Sequence, residues 1–193
     1  WYTNRYLRMS SFWRYILGVR VNPRKTRPDK YYAFISCTTA DLKEAKELQK
    51  NLEYYRIPRS FRKKYPDTPD WIRRVFLFCN DLEGNKLETS LKKYLDKSEH
   101  LILVCSPNLK DKEWVNKEIE YFIEKGKEDN IKIYVIAGEP YSRNTDKDYF
   151  PRALSTTHGE LRSVQRIEKG YLEDIIATIL PGDVSKDDLW RRH

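Results

Sequence analysis

The sequence predicts an α/β protein: a doubly wound parallel sheet of four to five strands, preceded by a basic helical arm. Three observations carry this. Four apolar runs of strand length recur along the chain, "YYAFISC", "RVFLF", "HLILVC" and "IKIYVIA". They are nearly continuous rather than alternating, as in strands covered on both faces. Between them lie stretches with apolar residues three and four apart, the period of a helix packed by one face. Strand alternating with helix is the pattern of a parallel sheet with helices on both sides.

The elements follow in order. In residues 1–22, Tyr2, Tyr6, Met9, Trp13 and Leu17 fall on one helical face, with arginines between them. That face suits packing on the domain or a neighbour, or contact with an acidic or membrane surface. "NPRKTRPDK" is a linker broken by Pro23 and Pro28. The first strand spans Tyr31 to Cys37. After a polar turn, Asp41 is placed to cap a helix reaching about Tyr55, with Leu42, Ala45, Leu48, Leu52 and Tyr55 on one face. "RIPRSFRKKYPDTPD" is expected as a basic, proline-punctuated loop. Arg74 to Phe78 is the second strand, and "CNDLEGNK" a loop around Gly84. A helix marked by Leu87, Leu91, Tyr94 and Leu95 leads to the third strand, His100 to Cys105. Trp114 to Lys125 is a helix closed by Gly126. Ile131 to Ala137 is the fourth strand, and "LRSVQ" is short enough for a fifth. Tyr171, Leu172, Ile175, Ile176, Ile179 and Leu180 form a last helical face, ended by Pro181-Gly182. The organisation expected is an arm and linker (1–30), one domain (31–182) and a tail (183–193).

Charge and composition bound the function. The chain has 193 residues, 39% of them hydrophobic, and a net charge of +8. Eight of its positive residues and one negative, Asp29, lie in residues 1–30, so the arm carries +7 and the remainder is nearly neutral. No nucleic-acid partner is expected for the fold itself. No apolar run reaches the roughly 18 residues a membrane helix needs, and a cytoplasmic setting is expected. The first residue is Trp1 rather than Met, as expected of a trimmed piece. Cys37, Cys79 and Cys105 lack Cys-x-x-Cys spacing and lie in or beside apolar runs. They are expected as buried free thiols. His100, His158 and His193 do not pair at ligand spacing, so no metal site is expected.

In a doubly wound sheet, ligands bind beyond the C-terminal ends of the strands. Three loops build that edge: Ser36 to Asp41, Cys79 to Lys86 and Ser106 to Glu113. No Gly-x-Gly-x-x-Gly follows a strand, and no Gly-Lys-Ser phosphate loop exists. Trp114 and Glu118 are four apart and share a helix face near this edge. A carboxylate close to a helix N-terminus is kept ionised by the dipole. Beside an aromatic plate it could steady a ribosyl oxocarbenium ion while the ring stacks on a base. On spacing alone the plainer reading is favoured, that Glu118 is one more solvated helix residue beside the surface pair of Glu113 and Lys117.

Four blocks in register resemble one family. "YYAFISC", "RVFLFCNDLEGNKLETSL", "LILVCSPN" and "EWVNKEIEYF" are similar, in order, to the first strand, second strand with its BB loop, third strand and Trp-Val-x-x-Glu helix of Toll/interleukin-receptor (TIR) domains. The likeness is greatest to the NAD-cleaving bacterial and animal axon-degeneration types. "GEPYSRNTDKDYFPRAL" resembles the fourth-strand exit of bacterial members. The chain departs from the pattern at Tyr32, Cys37 and Phe78, where Asp, Tyr and Asp are usual.

The resemblance implies a flavodoxin-like TIR fold and an NAD nucleosidase that releases nicotinamide and gives ADP-ribose or a cyclic product, acting in immunity or antiphage defence. NAD would be substrate, with no cofactor. Glu118 would be the catalytic carboxylate, and Trp114, Ser36, Cys37, Thr38 and Thr39 would bind substrate. Leu82, Glu83, Gly84, Asn85, Lys86 and Leu87 would form the loop for head-to-tail self-assembly. The alternative implied is a TIR scaffold that only assembles.

Overall fold

The computed structural model of the chain describes residues 30–79, 88–136, 149–156, 163–165, 170–182 and 184–189. The basic arm and the expected assembly loop, Leu82 to Leu87, lie outside them. Five strands pair in parallel in the order β2-β1-β3-β4-β5. They are β1 (Tyr31–Cys37), β2 (Val75–Cys79), β3 (Ser98–Cys105), β4 (Ile131–Val135) and a short β5 (Ser163–Gln165). The helices are α1 (Leu42–Tyr54), α2 (Arg59–Lys64), α3 (Glu88–Lys97), α4 (Glu113–Glu124), α5 (Tyr171–Ile179) and α6 (Lys186–Leu189).

The sheet is covered on both faces, which is why β1 and β3 read as unbroken apolar runs. Alternate residues of β1 divide between two cores. Ala33, Ile35 and Cys37 pack with Ala45, Leu48 and Leu52 of α1 and with Ile175, Ile176 and Ile179 of α5. Phe34 joins Leu101, Leu103 and Cys105 of β3 and Val115, Ile119 and Phe122 of α4. Each of those α4 side chains is fully buried or nearly so, worth about 1.5–3 kcal/mol apiece. Helix α4 stops as its sequence requires. Gly126 takes φ +69°, Gly126 N–H reaches Ile123 O at 2.8 Å, and Lys127 N–H reaches Phe122 O at 3.1 Å.

Two expectations are corrected. The basic stretch after α1 is not loop throughout, since it contains α2. Phe61, 3% exposed, anchors that helix in the core and packs on Tyr65 with ring centroids 4.7 Å apart. Pro58 precedes the first turn, where its missing N–H costs nothing. The cysteines are not three free thiols. The parallel register sets Cys37 opposite Cys79, with Cα atoms 4.8 Å apart, and the two are joined as a disulfide. Cys105 is free and buried, and burial, aided by Asp41, pushes its thiol pKa upward.

At the chain's end, Leu189 of α6 is fully buried and its carbonyl accepts the Tyr55 hydroxyl at 3.2 Å. Lys186 Nζ meets the buried Asp174 Oδ2 at 3.1 Å. No helix of the described residues is long and apolar enough to cross a membrane.

Candidate active site

The strand order reverses direction between β1 and β3, so a crevice is expected beyond their C-terminal ends. Two polar groupings are built there, one around Glu118 and one around Asp41.

Glu118 lies on the inner face of α4, in line with Val115, Ile119 and Phe122. The expectation of an ionised, open carboxylate at the helix end is corrected. Glu118 sits one and a half turns inside α4 and is 1% exposed. The helix face that carries the apolar stripe also carries this carboxyl, so it is drawn toward the sheet with them. Ser36 Oγ donates to its Oε2 at 2.6 Å, while Oε1 has no partner among the described residues. Burial raises the Glu118 pKa to about 8, against the opposing pull of the Ser36 hydrogen bond. At neutral pH the side chain is therefore mostly protonated.

Trp114 stands one turn earlier on α4 and packs edge-on against Phe78, with ring centroids 6.1 Å apart at 81°. Its Nε1–H is buried and has no partner among the described residues. Phe78, one of the departures from the family pattern, also packs on Phe34. Tyr32, another, is half-buried, and burial followed by Glu99 raises its hydroxyl pKa.

Asp41 does not cap α1 with its side chain, as the sequence suggested. Its carboxyl is turned to the exits of β1 and β3 instead. Thr38 Oγ1 and Ser106 Oγ each donate to Oδ2 at 2.6 Å, and Asn108 Nδ2 reaches Oδ1 at 3.3 Å. Ser106 Oγ in turn accepts the Asn108 N–H at 3.1 Å. One buried carboxylate thus ties the exit of β1 to the exit of β3. Sequence reasoning saw Asp41 but not this role. The available signal was hydroxyl and amide residues just after two strands that turn out to be neighbours.

The residues expected to bind substrate separate accordingly. Ser36 meets Glu118, Thr38 meets Asp41, and Thr39 is exposed at the edge. Cys37 points to the opposite face, into the core beneath α1, so it does not share the Glu118 side of the sheet.

A parallel 2-1-3-4 sheet with a short fifth strand, a Trp-x-x-x-Glu pair on the helix after β3 and buried polar groupings at the switch point define a TIR-like domain. The family model of the Thoeris protein ThsB, TIR-like domain, matches residues 31–138, which is more than half of the chain and includes both polar groupings. The chain belongs to this ThsB TIR-like family of Thoeris antiphage defence. No curated protein matches the chain.

Proposed function

We propose that this domain cleaves the bond between nicotinamide and ribose in NAD, with Glu118 as the catalytic carboxylate. One observation carries the reading: a buried carboxyl at the β1 exit, held through one oxygen by Ser36 and with the other oxygen unpartnered among the described residues. Family membership supports it, since TIR domains commonly cleave NAD.

The leaving group is a cationic pyridinium. When the bond to the ribose C1′ breaks, both electrons stay on the nicotinamide nitrogen, which leaves neutral without a proton. Positive charge develops on the ribose. A carboxylate in a site closed to water stabilises that charge far better than it could in solvent. The high resting pKa fits this use. Glu118 stays neutral while the crevice is empty, and a cationic substrate favours loss of its proton. Ser36 fixes Oε2 and leaves Oε1 for the ligand. Water adds to C1′ and gives up a proton to yield ADP-ribose; capture by a hydroxyl of the same molecule yields a cyclic product.

The burial of Glu118 favours a second reading, a domain that assembles without chemistry and uses this carboxyl only as a core hydrogen-bond acceptor. Glu118→Gln separates the two. It retains an oxygen for Ser36 and cannot ionise. Loss of nicotinamide release, followed by chromatography, with an unchanged circular dichroism spectrum is the expected result. Release at the wild-type rate refutes the assignment.

A further inference from the structure

The nearly neutral charge of residues 31–193 conceals an uneven distribution. Residues 54–74 carry seven positive and two negative side chains, a net +5, so the rest of that range carries −4. The fold gathers this stretch at one end of the sheet. Helix α1 runs from the C-terminal end of β1 to Tyr54, and β2 begins at Val75, in register with Ala33 near the start of β1. Residues 54–74 therefore lie at the N-terminal end of the strands, a strand length of about 20 Å from the Glu118 edge.

The cations there are held in place without being neutralised. The Arg73 guanidinium lies 4.4 Å from the Trp71 ring centroid, and that of Arg56 lies 5.9 Å from it. Arg56 and Trp71 are joined as an antiparallel bridge, and Arg73 Nε donates to Glu53 O at 3.1 Å. Two like charges are thus fixed within about 10 Å of each other. Arg59 and Lys63 stand one turn apart on α2, both exposed, and make no ion pair among the described residues. Of the two acids, Asp70 is bound to Arg62. Tyr54, beside them, is 58% exposed. Like charges gathered on one surface repel, and an anionic partner relieves that repulsion.

The chain's own arm selects among anionic partners, because it joins the domain at this same end. Lys30 is exposed at the start of β1, and Tyr32 N–H donates to Arg74 O at 2.9 Å. The arm's +7 is therefore tethered beside the patch. Its sequence sets arginines between Tyr2, Tyr6, Met9, Trp13 and Leu17, which recur at helical spacing. Aromatic rings among Lys and Arg, next to a segment with an apolar face, suit a lipid headgroup layer. A nucleic acid meets the cations and leaves that apolar face uncovered.

We propose that the basic end of the domain, Arg56, Arg59, Lys63 and Arg73 with Tyr54 and Trp71, docks on an anionic lipid surface beside the arm and turns the Glu118 edge away from it. The inference does not depend on NAD cleavage.

The test is co-sedimentation of the full chain with vesicles of phosphatidylcholine alone, and of phosphatidylcholine and phosphatidylglycerol in equal parts. Wild type should bind the mixed vesicles more tightly, and less so as salt rises. A basic residue at such a surface is worth about fivefold in partitioning, so Arg59→Gln/Lys63→Gln should bind the mixed vesicles about 25-fold more weakly than wild type. Lys93→Gln/Lys117→Gln makes the same change in net charge on exposed residues of α3 and α4, across the sheet, and should stay within about twofold.

Equal loss in the two variants is a response to net charge alone and overturns the proposal. So does wild-type affinity in Arg59→Gln/Lys63→Gln, which leaves all binding to the arm. Failure of the wild type to bind mixed vesicles overturns it too, and a random oligonucleotide bound instead, with the loss confined to the same variant, assigns the surface to nucleic acid. Hydrogen exchange of the wild type needs no variant: residues 54–74 should exchange more slowly on mixed vesicles, and unchanged exchange there overturns the docking.

Discussion

Glu118→Gln has a consequence for stability that does not depend on substrate. In the folded protein the Glu118 carboxyl titrates near 8, against 4.5 for the free side chain. A raised folded pKa means that the native state holds its proton more tightly than the unfolded chain. The stabilisation is fully present below pH 4.5 and is lost progressively as pH rises through about 8. The slope between those values is about 1.4 kcal/mol per pH unit, and the whole difference is about 5 kcal/mol. Against a typical total of about 5–15 kcal/mol this is a large share.

From pH 5 to pH 8 the wild type should lose on the order of 3 kcal/mol that the variant, which cannot ionise, does not lose. His100 acts in the opposite sense. Burial, with Lys132 beside it, pulls it from 6.5 down to about 4, so its contribution falls away as pH drops below 6.5. It is present in both proteins and cancels in their difference. The assay is urea unfolding of each protein at half-unit steps of pH. With slopes of about 1–3 kcal/mol per molar urea, the gap between the two midpoints should swing by at least 1 M or so. Midpoint curves that run parallel across this range, with the gap constant within about 1 kcal/mol, would mean that Glu118 is ionised throughout, and the account of the site would be wrong.

The remaining predictions concern chemistry, packing and assembly. Because the active form of Glu118 is ionised, kcat/KM for NAD should rise with pH and level off above about 8; a profile flat from pH 6 to pH 9 argues against its role. Asp41→Ala strips the Thr38 and Ser106 hydroxyls of their acceptor and should cost about 2–4 kcal/mol in urea unfolding, whereas Glu113→Ala, on an exposed residue, should stay within about 0.5 kcal/mol. Equal effects of the two would deny the link between the β1 and β3 exits. Phe122→Ala, in the core between α4 and the sheet, should cost about 3–5 kcal/mol, and a loss under 1 kcal/mol would contradict the packing described. If the loop Leu82 to Leu87 completes a neighbour's site, nicotinamide release per molecule should climb steeply with protein concentration and fall in Gly84→Val. Constant specific activity across a wide dilution series removes self-assembly from the mechanism.

Most of the framework was legible in the sequence because it depends on near neighbours along the chain. The runs at Tyr31, Val75, His100 and Ile131 have strand length and composition, and the stripe Val115, Ile119, Phe122 has helical period. Gly126 is needed where the chain turns left-handed. The pairing of Trp114 with Glu118 is likewise a local fact, one turn of helix. What the sequence could not settle is which groups meet across the fold and how much water remains around them. Ser36 and Glu118 are 82 residues apart, joined by the packing of α4 on the sheet, and Asp41 and Ser106 are 65 apart, joined by the adjacency of β1 and β3.

Asp41 looked like a helix cap because caps are recognised from local spacing, but two hydroxyls from neighbouring strand ends claim its carboxylate. Cys37 and Cys79 looked like separate buried thiols until the β1–β2 register set them opposite each other. Phe61 turned part of a basic stretch into helix because a core site was there to receive it. The protonation of Glu118 is the clearest case. Its residue type and position are written in the sequence, but its charge at neutral pH is decided by the cost of ionising a carboxyl that the packing of α4 on the sheet has taken out of water.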